Sequence, residues 1–396
     1  MNIAAQFYCR TVQLLIYIVS PLLPYRTPKL LDGLDSIPDL LKEEKRDRVL
    51  LVTDENIRRL GLTGGLEEAL EKAGIACHVY DKVLPNPTTV QVEECRRAYL
   101  EGDCQGIIAF GGGSPMDCAK ATAARIARPR RSTQKLKGLF KVMRRTPPVI
   151  AVPTTAGSGS ETTLSAVITD AETHHKYVIN DFALIPKYAV LDPKVMATLP
   201  RETIAITGMD ALTHAVEAYI SLAATKKSEA DAMEAVILIY HNLEKAYETG
   251  DEEACRNLLI ASHLAGRAFT RSYVGYVHAL AHALGGAYNI PHGLANAVLL
   301  PNVLASYGAE AVPRLSKLAD PLGFHCNKDS IRARGFVDLV RRMNEKMGIP
   351  SHIEALQVED IPRLARQAAA EANPLYPVPK LWCVRELEAV YYSVLA

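Results

Sequence analysis

The segment Thr207-Gly208-Met209-Asp210-Ala211-Leu212-Thr213-His214-Ala215-Val216-Glu217-Ala218-Tyr219 reads as a helix. Its central residues favour helix, and no proline interrupts it. Asp210 and His214 are four residues apart, so their side chains leave one face about one turn from each other. Two further stretches carry the same chemistry. His278-Ala279-Leu280-Ala281-His282 repeats the four-residue spacing, and Pro291-His292-Gly293 follows after a break. One carboxylate and three histidines can therefore converge on a cation from two helices and a turn. Each residue also has an ordinary reading: Thr207 with Asp210 fits a capping box, and His278 or His282 fits a half-buried histidine on an Ala/Leu helix. Together they favour a metal site, because the chain has only 11 histidines and three fall within fifteen residues beside small side chains.

Working outward toward the N-terminus, the pattern is of strands alternating with helices. Strands are expected at 48–52, 76–80, 106–110, 149–152 and 188–191, with a hairpin at 165–169 and 176–180. Helices are expected at about 65–73, 90–101 and from Ser114. Such alternation implies right-handed crossovers and a doubly wound, Rossmann-like parallel sheet. From about Lys194 onward long helical segments dominate, at 208–223, 228–247, 252–270, 274–287, 293–307, 331–346 and 383–395. The expected organisation is an α/β domain over 1–193, including a helical extension over about 1–30, followed by an all-α metal-binding domain over 194–396.

Gly111-Gly112-Gly113-Ser114-Pro115-Met116-Asp117 lies between an apolar strand and a helix. The glycines permit positive φ and close backbone approach. Ser114 is expected as N-cap, Pro115 at the first helical position, and Asp117 as the partner in a capping box. A helix N-terminus there favours a pyrophosphate. The loop is neither Gly-x-Gly-x-x-Gly nor a Walker sequence. A second loop, Thr154 to Ser160, also follows an apolar strand and offers small hydroxyl groups.

The segments GMDALTHAVEAYIS (208–221), VHALAHALGGAYNIPHG (277–293), GGGSPMDCAK (111–120) and PTTAGSGSET (153–162) resemble the iron-containing, group III alcohol dehydrogenases. They stand in that family's order, and the resemblance runs from about Arg48 to the C-terminus. It implies that Asp210, His214, His278 and His292 ligate the metal, with Fe(II) favoured and Zn(II) the alternative, since imidazole and carboxylate suit both. It implies that Gly112, Gly113, Ser114 and Asp117 cradle the dinucleotide. Asn86, Thr154, Thr155, Ser158, Val167 and Lys176 approach it in the same family pattern. Asp54, where the family often has an acid, would accept from the ribose 2′-hydroxyl and repel a 2′-phosphate, giving NAD preference; the alternative is that it only caps the turn into the next helix. His282 stays outside the ligand set as proton relay or nicotinamide contact. The expected activity is interconversion of a small primary alcohol or diol with its aldehyde. The alternatives are a metal-dependent cyclase of the dehydroquinate-synthase kind and a non-catalytic assembly protein.

Composition narrows the rest. With 48% hydrophobic and 22% charged residues and a net charge of +1, the chain is ordinary globular material without the basic excess of a nucleic-acid binder. The eight cysteines are scattered with no Cys-x-x-Cys pair, which fits free thiols in a reducing cytoplasm. Thr11–Pro24 is apolar but is interrupted by Pro21 and falls short of a spanning helix. Residues 2–19 are expected to form a helix packed on the body or on a neighbouring subunit of a homodimer or larger assembly. Arg125–Arg145 carries nine Lys or Arg and no acid, and reads as a solvated excursion.

Overall fold

The computed structural model describes all residues, Met1–Ala396. The strands are β1 (Lys29–Leu31), β2 (Arg48–Val52), β3 (Ala76–Tyr80), β4 (Gly106–Gly111), β5 (Gly138–Leu139), β6 (Val149–Pro153), β7 (Ser165–Thr169), β8 (Lys176–Asn180) and β9 (Tyr188–Val190). The helices begin with α1 (Ile3–Val19), α2 (Ser36–Glu43), α3 (Glu55–Arg59), α4 (Gly64–Lys72), α5 (Thr89–Glu101) and α6 (Gly113–Ala127). They continue with α7 (Arg201–Ile220), α8 (Lys226–Thr249), α9 (Glu252–Ser272), α10 (Tyr276–Tyr288) and α11 (His292–Ser306). Last come α12 (Val312–Ala319), α13 (Asp329–Lys346), α14 (Ile361–Ala372) and α15 (Val384–Ser393).

The chain divides into a unit spanning Pro24–Thr198 and a helical unit made of Leu199–Ala396 together with Met1–Leu23. The first holds a six-stranded sheet in the order β1-β9-β6-β4-β2-β3, and every pairing is parallel. Its central strands are continuous apolar runs because helices cover both faces: all six residues of β4 and all five of β6 are buried. Two hydrophobic layers result, one around Leu50, Val52, Ile107 and Val92, the other around Val49, Leu51, Ile108 and Phe110. The hairpin β7–β8 forms a separate three-stranded sheet with β5. The expected α/β architecture followed by helices is present.

Three local expectations differ from the structure. β1 and β5 were not anticipated, being only three and two residues long with no alternation to read. The extension expected with the α/β unit belongs to the helical one. Arg10 donates to the carbonyls of Val378 and Pro379, and Gln13 donates to that of Tyr376, which ties α1 to the C-terminal segment. The basic excursion is not wholly solvated. Arg125 is buried against Glu93 and the carbonyls of Arg128 and Arg131.

Within the α/β unit, Glu44 at the end of α2 ties that helix to β9. Its carboxylate pairs with Lys187, accepts from the Tyr188 hydroxyl at 2.5 Å and pairs with Arg46 at 2.9 Å. Burial alone would raise its pKa, but these donors win and hold it at about 2. A depressed carboxylate contributes stability that is complete above its unfolded pKa and fades as pH falls toward the folded value. Glu44→Gln should therefore cost about 2 kcal/mol at pH 7 and about half that at pH 3. Denaturant titrations at the two pH values measure the difference, and an equal cost at both would contradict the assignment.

Candidate metal centre and dinucleotide cradle

Asp210, His214 and Glu217 lie on one face of α7 at successive turns, and all three are buried. The capping reading of Thr207 and Asp210 does not hold, because α7 starts six residues earlier, at Arg201, and the Thr207 hydroxyl donates to Thr203 O within the helix. His278 is in the first turn of α10, and His292 is the first residue of α11. Asn289, in the left-handed region at φ 54°, ends α10, and Pro291 directs the chain into α11. Gly293 lets α11 approach α7: a Cβ there would run into the Ile206 carbonyl, one turn before Asp210.

Four donor atoms from Asp210, His214, His278 and His292 all lie within 4.8 Å of one another. The imidazoles crowd, with His214 stacked on His278 at 4.4 Å and on Phe269 at 4.2 Å. Burial and the neighbouring rings hold the pKa of His278 well below the ordinary imidazole value; burial brings that of His292 down to about 4. Both are therefore neutral at physiological pH, the form in which imidazole binds a metal.

Orientation comes from Glu217, which the sequence reading did not single out. Its carboxylate accepts from the backbone N–H of Gly275 at 2.7 Å and of Val277 at 2.8 Å, and bonds His278 Nδ1 at 2.6 Å. With Nδ1–H committed to Glu217, the lone pair sits on His278 Nε2, a buried atom with no hydrogen-bond partner. That is the geometry of a carboxylate-oriented metal ligand, and the donor set of three nitrogens and one oxygen fits a divalent transition metal. Burial pushes the Glu217 carboxyl up to about 7, against the pull of its N–H donors. Asn296, also absent from the sequence reading, sits one turn beyond His292, and its amide nitrogen reaches Asp210 Oδ1 at 2.7 Å and His292 Nε2 at 3.1 Å.

His282 lies outside the four-donor group. Its ring stacks on His292 at 5.1 Å, and its Nδ1 bonds Glu371 at 2.7 Å, a carboxylate that also accepts from the Tyr376 hydroxyl at 2.8 Å. The side chain remains 45% exposed. Burial works against its charge, but Glu371 outweighs it and raises the pKa above the ordinary value.

In the α/β unit, the glycine turn stands at the C-terminal end of β4. Ligands of open α/β sheets lie outside such strand ends, where the strand order reverses. β4 returns to the opposite side of β2 from β3, so the reversal falls beside this turn. Gly111 has φ 153°, and a Cβ there would strike the Pro115 ring. The N-cap is Gly112, not Ser114, and no capping box forms. Asp117 is turned sideways instead, accepting from Val167 N at 3.1 Å and the Ser160 hydroxyl at 3.2 Å; burial raises its pKa to about 6.

The other expected cradle residues gather in linked sets. Asn86 N donates to Ser114 Oγ at 3.3 Å, and Asn86 Oδ1 accepts from Lys176 Nζ at 2.9 Å. Thr154 N bonds Gly111 O, Gly112 faces Thr155, and Gly113 faces Ser158. Asp54 follows β2, and its Oδ1 caps α3 through Ile57 N at 3.0 Å. Lys120 was not foreseen either: fully buried, it donates to Ser160 Oγ and Thr163 Oγ1 and so fastens the second loop to α6.

Glu217→Gln keeps an acceptor for only one of the two backbone N–H groups, which bond different carboxylate oxygens, and removes the charge that fixes the His278 tautomer. It should weaken metal binding about 10–100-fold with the fold retained, read by metal titration and circular dichroism. Unchanged affinity would contradict the role given to Glu217.

Comparison with known proteins identifies the family of the chain. The profile of "Iron-containing alcohol dehydrogenase" matches residues 31–193, and that of "Fe-containing alcohol dehydrogenase family, C-terminal" matches 204–395. The chain is 38% identical over 352 residues to a 1,3-propanediol dehydrogenase of Klebsiella pneumoniae, covering 87% of this chain and 90% of that one. Its fold is similar to the crystal structure of a 1,3-propanediol oxidoreductase, with TM-score 0.89, 33% identity, and coverage of 94% of this chain and 98% of that one. It is also similar to a sulfoacetaldehyde reductase from Bifidobacterium kashiwanohense solved in complex with NAD+, with TM-score 0.84, 27% identity, and coverage of 93% and 98%. The chain therefore belongs to the iron-containing alcohol dehydrogenase family, and is an oxidoreductase acting on alcohols or aldehydes.

Proposed function

We propose that this chain is an NAD(H)-dependent dehydrogenase that interconverts a small primary alcohol or diol with its aldehyde by hydride transfer, using Fe(II) held by Asp210, His214, His278 and His292. The observation that carries the reading is the four-donor cluster, buried at Asp210, His214 and His278 and open at His292, with His278 Nε2 left free by the Glu217 bond. Bound there, the ion supplies Lewis acidity toward the substrate oxygen, and the dinucleotide supplies the hydride acceptor or donor. The 1,3-propanediol dehydrogenase and oxidoreductase among the similar proteins support a short diol as first substrate to try.

In this reading the residues of the chain bind, orient and move protons. The Gly111–Ser114 turn receives the pyrophosphate at the start of α6, and Asn86 and Lys176 border it. Thr154, Thr155 and Ser158 line the sugar and base side, and Asp117 fixes Val167 of the hairpin against α6. Asp54 caps α3 with one carboxylate oxygen; its charge would disfavour the 2′-phosphate of NADP. The NAD+ complex of the structurally similar reductase supports the same preference. His282, paired through Nδ1 with Glu371 and partly open to solvent, carries the alcohol's proton outward.

Stripping the metal and reloading with Fe(II) or Zn(II), then following NADH formation across C2–C6 alcohols and diols, tests the function. Activity should vanish with the metal and return most fully with iron. His278→Ala should lose both metal and turnover while still binding NAD+. Full activity in metal-free protein would refute the assignment.

His282→Ala should keep stoichiometric metal and lose turnover by about 10²–10⁴-fold. Glu371→Gln removes the counter-charge that raises the His282 pKa. Alcohol oxidation needs the neutral ring, so the acid limb of the pH–kcat profile should move to lower pH. Wild-type rates across pH in His282→Ala would exclude the relay, and loss of metal would make His282 a ligand instead.

A further inference from the structure

The helix α1 is amphipathic in the inverse sense. Its polar residues face the protein: Arg10 donates to Val378 O and Pro379 O, Gln13 donates to Tyr376 O, and Ser20, just past its end, donates to Arg271 O. Cys9, Gln13 and Ser20 are buried. The outward face is apolar: Ile3, Phe7, Tyr8, Leu14, Leu15, Tyr17, Ile18, Val19 and then Leu22 are all exposed, Ile3 to 86% and Phe7 to 75%. At 100° per residue, Ile3, Phe7, Leu14 and Ile18 form one ridge, flanked by Tyr8, Leu15 and Val19. The hydroxyl of Thr11 on this face is already bonded to Phe7 O.

The uncovered apolar area is on the order of 1,000 Å², beyond what a monomer ordinarily leaves exposed. It also exceeds the ~800 Å² that each partner contributes to a standard interface. No charged side chain stands on the face. It is therefore compatible with a copy of itself, since a two-fold contact brings like residues together without like charges. A helix lying in a lipid surface would present Lys or Arg beside its apolar stripe; here the only charge on α1, Arg10, is committed to protein carbonyls. Ile3–Leu22 is long and apolar enough to cross a bilayer by composition, but spanning would strip Arg10 and Gln13 of those partners.

We propose that the outer face of α1 is a homotypic interface, which packs against α1 of a second copy of this chain about a two-fold axis. The test is sedimentation velocity on the full, metal-loaded protein and on Phe7→Glu, Leu14→Glu and Ile18→Glu, with Leu14→Ala/Ile18→Ala as a charge-free pair. These positions are solvent-facing in the single chain, so circular dichroism and NADH turnover should be retained. The Glu variants should halve the mass of the wild-type assembly, and the Ala pair should weaken association at least 10-fold. A monomeric wild type, or a mass unchanged in every variant, would overturn the proposal. So would vesicles of anionic or neutral lipid that capture the wild type but not the Glu variants while the mass in solution stays the same; that result would assign the face to a membrane.

Discussion

The candidate centre depends on one buried hydrogen bond, between Glu217 and His278 Nδ1. A carboxylate placed among apolar helices is costly unless donors surround it. Here two backbone N–H groups at the start of α10 and one imidazole do so. The same contacts fix where α10 begins, which nitrogen of His278 carries its proton and which carries the lone pair. Gly275 is required there, since a Cβ would collide with the Glu217 carboxylate. One side chain of α7 thereby sets the start of α10 and the direction of its first histidine.

The second constraint is steric. Gly293 brings α11 against α7 closely enough for His292 to stand 3.5 Å from Asp210, with the Asn296 amide between them. In the α/β unit Gly111 has a similar purpose, turning the chain at positive φ from β4 into α6. Both units use a glycine to let backbone pass where a side chain would block it, followed at once by residues that carry chemistry.

Much of this was legible in the sequence. The four-residue spacings of Asp210 with His214 and of His278 with His282, followed by His292, pointed to a metal site, and the family resemblance implied which four residues form the donor set; the continuous apolar runs at 106–110 and 149–152 pointed to central parallel strands. Glu217 offered a signal too, three residues beyond His214 on the same helical face, but a charged residue at that spacing reads as a solvated position until its burial is known. Glu371 and Tyr376 offered none, for Glu371 meets His282 across 89 residues of chain through tertiary packing alone, and Tyr376 acts only by bonding Glu371. The capping box at Ser114 was misread because Asp117 has a tertiary partner, Val167, that outcompetes local capping. The extension, grouped with the α/β unit that it precedes in the chain, belongs to the helical one because Arg10 and Gln13 donate to the carbonyls of Val378, Pro379 and Tyr376.

X-ray absorption at the iron edge, on protein loaded with Fe(II), tests the central claim most directly. The account predicts one iron per chain with three imidazole nitrogens and one carboxylate oxygen among its ligands, and an imidazole count that falls by one in His278→Ala, His214→Ala or His292→Ala. Iron that binds with unchanged coordination in those variants, or that shows no imidazole scattering, would contradict it.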